Sequence, residues 1–351
     1  MHKHVAALLS GLRGRFVHTL AASPDFLESL PNSAAEGTDF VPVDIGDHAG
    51  LSSLLQGIGL ARHARRARAD IVHSHGYKAV VPGVVAARLT GAKSIITGHN
   101  LFPAEASNLA KASLRLAARL SDRVIAVAPA LAASLAAAGV DERKITVVPN
   151  GIDLSVYDAG DRRPVLESLR IDDRTKIVLC AARLTEVKGV EHLIRAAALL
   201  SERRSDVRVL IAGDGPDREA LHELARNTAP ETVVFLGYRE DVPNLLAAAD
   251  VVAIPSLAEG HPLILIESMA ARKAIVASRV GGLADTITDN ETGLLVPPAD
   301  PKALAEAILT VIESPGLAER LGASARRHAE QEFALERMIA RMEEVYLCAL
   351  S

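Results

Sequence analysis

Glu259 and Glu267, eight positions apart in PSLAEGHPLILIESMA (255–270), are two carboxylates in different local settings. Glu259 sits in a Gly/Pro-punctuated loop, whereas Glu267 lies in an apolar run with no further breaker until well past Met269. The stretch reads as a strand ADVVAIPS (249–256), a loop and a helix, with Glu267 about two turns in. Loops at the carboxyl ends of strands are where open α/β sheets bind ligands. Two acids so placed can grip two hydroxyl-bearing parts of one ligand. The same spacing also fits an exposed loop acid plus a helix-surface acid with no chemistry between them.

A second pair is cationic. Arg183 and Lys188 in ARLTEVKGV follow the apolar strand pattern KIVLCAA (176–182). Two fixed cations beside helix amides suit a diphosphate, above all one that gains charge as it leaves; each taken alone reads rather as a solvated loop residue. GDGPDR (213–218), carrying Gly213 and Gly215, follows another strand, but Arg218 stands where a dinucleotide fingerprint needs its third glycine, and no Gly-Lys-Ser/Thr loop occurs. Neither a dehydrogenase nor a P-loop ATPase is supported. His73 and His75 form a His-Ser-His triplet without an acidic neighbour in sequence, which reads as cleft-lining or core imidazoles rather than a metal site.

The elements that must position these groups alternate in type. Short β-branched runs at RFVHTLAA (15–22), ADIVHSH (69–75), KSIITGH (93–99), DRVIAVA (122–128) and KITVVPNG (144–151) are separated by helical stretches. KIVLCAA (176–182), VRVLIAG (207–213), TVVFLG (232–237), DVVAIPS (250–256) and KAIVAS (273–278) repeat the pattern. Such alternation predicts parallel sheets, here two doubly wound α/β domains. PNGIDLSVYDAGDRRP (149–164) reads as the linker, giving domains at 1–152 and 153–332. The remainder, 333–351, carries a helical period in ALERMIARMEEVYLCAL (334–350) and could pack on either domain.

Composition bounds the class. The chain has 351 residues, 49% hydrophobic and 23% charged, long enough for two cores. A net charge of -4 argues against a general nucleic-acid binder. Cys180 and Cys348 cannot supply a disulfide framework or a thiolate zinc site, and a reducing cytoplasm fits. The longest uncharged stretch (124–140) is broken by Pro129 and Gly139 and reads as strand, turn and packed helix. No signal peptide is read at the start. ARHARRARAD (61–70) is either a solvated helix face or a patch attracted to anionic lipid at the inner face of the cytoplasmic membrane.

Taken in order, ARLTEVKGVEHLIRAAALL, LIAGDGP, VVFLGYREDVPNLLAAADVVAIPS, EGHPLILIESMA and VGGLADTITDNETGLLVPPADPKALAEAI resemble the nucleotide-binding domain of family 4 retaining glycosyltransferases, over residues 145–345. The resemblance implies the GT-B architecture, two Rossmann-like doubly wound parallel-sheet domains facing a cleft. It implies that Arg183 and Lys188 hold the donor diphosphate, that Glu259 meets the transferred sugar and that Glu267 meets the ribose hydroxyls. Backbone amides around Gly260, His261, Leu263 and Ile264 would reach sugar hydroxyls and phosphate, Pro262 having no N–H to give. Residues 70–100 resemble the family's other half more loosely and end in a Thr-x-His filled by Thr97 and His99. His99 is therefore the candidate for contact with the reacting sugar, with His73 and His75 as alternatives.

The resemblance further implies a nucleotide diphosphate sugar as donor, retention at the anomeric carbon without a metal or other cofactor, and a glycan, lipid-linked or small-molecule acceptor. A nucleotide-sugar 2-epimerase and a catalytically impaired nucleotide-sugar-binding protein are the alternatives. The chain departs from the family at its start, where MHKHVAALLSGLRGRF reads as a helix already under way and the usual first strand and Gly-rich loop are not seen. Arg272 and Ala274 replace a usual Gly and Pro, and Asp285 a usual Glu.

Overall fold

The computed structural model describes residues 2–44, 51–99 and 108–351. The chain divides into two units, one of Met1–Gly151 with Leu335–Ser351 and one of Ile152–Ala334.

The second unit is built on one sheet of six parallel strands: β7 (Lys176–Ala181), β8 (Val207–Ala212), β9 (Val233–Gly237), β10 (Val251–Ile254), β11 (Ala274–Ser278) and β12 (Leu294–Val296), the first six strands of the chain, β1–β6, belonging to the other unit. Their spatial order is β12-β11-β10-β7-β8-β9. Side chains alternate between faces, and both faces are covered: Val178, Cys180, Val209 and Ile211 pack under the helices Val190–Arg203 and Pro301–Glu313, while Ile177, Leu179, Leu210 and Ala212 pack on the opposite side with the helix Leu263–Ala270. Continuous apolar runs follow from burial on both sides. The three-residue β12 pairs only with β11 and is too short to print a period in the sequence.

The first unit holds β1 (His18–Ala22), β2 (Thr38–Pro42), β3 (Ile71–His75), β4 (Lys93–Gly98), β5 (Arg123–Ala126) and β6 (Ile145–Val147). β3-β4-β5-β6 form a four-stranded parallel sheet, and β1-β2 a separate parallel pair among the described residues. The helix His2–Gly11 opens the described chain. The carboxyl-terminal helix Leu335–Leu350 packs into this unit: Met338, Met342 and Tyr346 share a core with Ile95, Ile125 and Leu12. No described helix is long and apolar enough to cross a membrane.

The stretch 149–164 is not a bare linker. Residues Leu154–Asp158 form a 3-10 helix whose Leu154 and Tyr157 pack on the second unit's core. Asp158 there receives two hydrogen bonds from Arg326, at 3.0 and 3.1 Å, and one from Arg272 at 2.6 Å. Its Gly, Asp and Pro content marks turns, but an anchored segment and a free one share that composition.

Candidate functional site

In the six-stranded sheet, strand order reverses between β7 and β10. At such a switch point the loops leaving the two strands diverge and open a crevice at their carboxyl ends. The loop after β7 carries Arg183 and Lys188, and the loop after β10 carries Glu259. The two are tied together by Leu257 N–H donating to Val187 C=O at 2.8 Å. Lys188 Nζ donates to Glu259 Oε1 at 2.6 Å, and Ser256 Oγ donates to the same oxygen at 2.7 Å. Glu259 is only 7% exposed, so its charge is held by these two contacts. Arg183 is exposed and has no side-chain ion pair among the described residues. One cation is thus locked and the other is free to meet an anion.

Glycines make this crowding feasible. Gly189, the left-handed residue (φ 61°) that opens the helix after Lys188, would place a Cβ 2.2 Å from Pro255 O. Gly213 (φ 143°) and Gly215 would place theirs 1.8 Å from Ala182 O and 2.2 Å from Leu184 O. Both flank the Arg183 loop, which is further pinned by Leu184 N–H to Asp214 C=O at 2.9 Å. The structure therefore gives Gly213 and Gly215 a packing role of their own, apart from any ligand contact.

Pro262 caps the helix Leu263–Ala270 in an extended conformation, leaving the first-turn amides of Leu263 and Ile264 without intrahelical acceptors. The helix starts late, so Glu267 is its fifth residue, about one turn in rather than two. Nor is Glu267 on the helix surface: it is 3% exposed and accepts a hydrogen bond from the Tyr157 hydroxyl. Burial, reinforced by that carboxylate, raises the Tyr157 pKa well above its ordinary value. His261 is buried against Phe333, and burial lowers its pKa to about 4. Burial also pushes the Cys180 thiol up to about 12, Lys188 opposing and Glu259 reinforcing.

Sequence reasoning missed Tyr157, Ser256 and the contact of Gly282 N–H with Glu259 C=O at 3.0 Å. The stretch VGGLADT carried a signal for the last: a Cβ at Gly281 (φ 39°) would lie 2.3 Å from Glu259 O. Arg272, where glycine is usual, keeps the left-handed backbone that position demands (φ 56°).

The first unit collects the histidines. His73 and His75 end β3, and His99 follows β4, so all lie at the carboxyl ends of neighbouring strands. His73 is saturated: Nδ1 meets Tyr346 Oη and Nε2 meets Thr97 Oγ1, both at 2.7 Å. Burial, with neighbouring imidazoles adding, lowers the pKa of His73 to about 3 and of His99 to about 2, and takes His75 well below its ordinary value. These rings are neutral at pH 7. Asn100, which closes the stretch 70–100, lies outside the described residues.

Sequence profiles of two families match the chain: Glycosyltransferase Family 4 over residues 1–156, and Glycosyl transferases group 1 over residues 161–328. The alpha-maltose-1-phosphate synthase of Mycobacterium tuberculosis is 32% identical over 338 residues, covering 86% of this chain and 85% of its own. The D-inositol 3-phosphate glycosyltransferase of Nocardiopsis dassonvillei is 32% identical over 283 residues, 74% of this chain and 66% of its own. In fold, a Rickettsia africae glycosyltransferase superposes with a TM-score of 0.86 at 22% identity, covering 100% of this chain and 95% of that one. Anabaena HepE, solved with UDP-glucose, gives 0.85 at 23% identity, covering 98% and 96%. With two parallel α/β units, a switch-point site and these likenesses together, the chain belongs to the family 4 glycosyltransferases and has the GT-B fold.

Proposed function

We propose that this protein moves a sugar from a nucleotide diphosphate sugar to an acceptor hydroxyl with retention at the anomeric carbon, and that it needs no metal to do so. The observation that carries the reading is the Lys188–Glu259 contact across the switch point, with Arg183 exposed beside it. Glu259 holds Lys188 in one place before any ligand arrives, and pre-placed charge is what a departing diphosphate uses. The bond from the anomeric carbon to the diphosphate breaks while the acceptor oxygen adds on the same face, and the acceptor proton leaves with the diphosphate. Negative charge grows on the leaving group, so Arg183 and Lys188 stabilise the transition state more than the ground state. Glu259 receives the transferred sugar's hydroxyls, Glu267 the ribose hydroxyls, and the amides of Gly260, His261, Leu263 and Ile264 the sugar and phosphate. His99, just past β4 in the first unit, is the neutral hydrogen-bonding group proposed for sugar contact. UDP-sugars, as bound by Anabaena HepE, are the first donors to assay, and sugar or polyol phosphates, as in the names of the curated relatives, the first acceptors.

Arg183→Ala is expected to lower turnover about 100-fold while leaving the thermal midpoint in place, because the side chain is exposed and unpaired among the described residues. Lys188→Ala should match that loss and also lower stability by roughly 2 kcal/mol, since it strands the buried Glu259 carboxylate. Turnover unchanged in both variants removes the assignment. Incubating the donor without acceptor and finding an epimerised sugar would replace transfer by epimerisation.

A further inference from the structure

Three histidines of the first unit converge although they come from distant parts of the chain. His4 lies on the opening helix, His75 at the end of β3 and His99 just past β4, and a ring nitrogen from each lies within 4.8 Å of the others. Among the described residues this is the one such group of histidine, cysteine and carboxylate ligand atoms. His75 Nδ1 and His99 Nε2 are 3.3 Å apart. Two imidazoles on one tetrahedral zinc, with Zn–N near 2.05 Å, hold their nitrogens about 3.3 Å apart.

His4 supplies an independent observation. It is 3% exposed, and its ring nitrogens reach strict hydrogen-bond geometry with no described side chain, a looser hydrogen bond with the Asn150 side chain being its one polar contact of that kind. A buried imidazole nitrogen left without a partner costs about 1–3 kcal/mol, and His4, with one loose contact for two nitrogens, has room for an occupant. His73 shows the contrast: it sits in the same cluster, but Tyr346 and Thr97 occupy both nitrogens, and it is not one of the three. His73, Ser74 and His75 also line a cavity of about 400 Å³ bounded by β1 and β3, which gives an ion and its water a route in.

We infer that His4, His75 and His99 form a binding site for one divalent transition-metal ion of the zinc class, held by three imidazole nitrogens with the fourth position open to water. An all-nitrogen set selects zinc, copper or nickel over magnesium or calcium, which require oxygen ligands. Binding needs the imidazoles neutral with their N–H turned away from the ion. The proton now shared between His75 and His99 therefore moves to an outward nitrogen by tautomer exchange, and no redox step is involved. The site shares His99 with the sugar-transfer reading, but its test reads metal rather than transfer, so either reading can fail without the other.

The test is equilibrium dialysis of the tag-free full chain, stripped with chelator, against zinc and against cobalt, read by elemental analysis and by the visible absorption of tetrahedral cobalt. The expected result is one ion per chain, with affinity lowered at least 10-fold in both His4→Gln and His75→Gln and kept in the control His222→Gln, whose ring stacks on Phe235 in the other unit. Far-UV circular dichroism in chelator establishes that each variant is folded, and His75→Gln, at a half-buried strand end, covers the case in which His4→Gln is not. Absence of saturable binding, or binding unchanged in both folded variants, overturns the inference.

Discussion

The two units solve the same problem with opposite materials. In the second, the candidate ligand groups are charged, and the two buried carboxylates are met within the unit: Glu259 by Lys188 and Ser256, Glu267 by Tyr157. In the first, the clustered groups are imidazoles that burial keeps neutral. The sheets differ in parallel. Six continuous strands carry the charged site, whereas the histidines stand beside a sheet of four and a detached pair. A doubly covered sheet can hold an ion pair in place before any ligand binds, while neutral rings at strand ends depend on what occupies them.

Acidification separates the units most sharply. A histidine whose folded pKa lies below 6.5 binds its proton only when the chain unfolds, so stability is full above 6.5 and falls as pH drops toward the folded value. For His4, buried and lowered to about 4, that is roughly 2 kcal/mol at pH 5, and His73, His75 and His99 act in the same direction. The second unit has His261 alone lowered in that window, and its Arg-held carboxylates Asp158, Asp206, Asp241 and Asp289 lose their contribution only below their ordinary value of 3.8. Hydrogen exchange in chelator at pH 5 should therefore show amides of β3–β5 opening before those of β7–β10. The reverse order would break the comparison.

Next in size is Gly213→Ala. A Cβ 1.8 Å from a backbone oxygen, at φ 143°, cannot be absorbed by a side-chain shift, and about 3 kcal/mol of stability should be lost in denaturant titration, together with activity through the Arg183 loop. A neutral result would mean that the loop after β7 is far softer than its hydrogen bonds indicate. The smallest effect belongs to Arg272→Gly. Relief of the left-handed backbone, about 1 kcal/mol, is offset by the lost Asp158 contact and by the freer unfolded chain, so the thermal midpoint should move by less than the equivalent of about 0.5 kcal/mol. A large loss there would show that the anchored segment 154–158 depends on this one side chain.

Legibility followed the same division. The ten strand patterns read from the sequence all contain observed strands, and those buried on both faces, β7, β8, β10 and β11, leave a continuous apolar signature. β2 and β12 escaped: Asp39 and Pro42 interrupt the first, and the three residues of the second run directly into Pro297 and Pro298. The placement of Arg183, Lys188 and Glu259 in the loops after β7 and β10 was legible because those loops directly follow strong strands. Tyr157 was not, since an aromatic within a Gly/Asp/Pro-rich stretch looks the same whether it dangles or packs.

By itself, the sequence determined the element types, the two-unit organisation and the residues at the ends of β7 and β10, all consequences of local periodicity and of breakers close by in the chain. Tertiary structure alone decided that Lys188 spends its charge on a buried Glu259, that Glu267 is buried on Tyr157, and that His4 meets His75 and His99 from about seventy and ninety-five residues away. Pairings of that kind depend on strand order and helix docking, and no local pattern of residues encodes the distance between two loops.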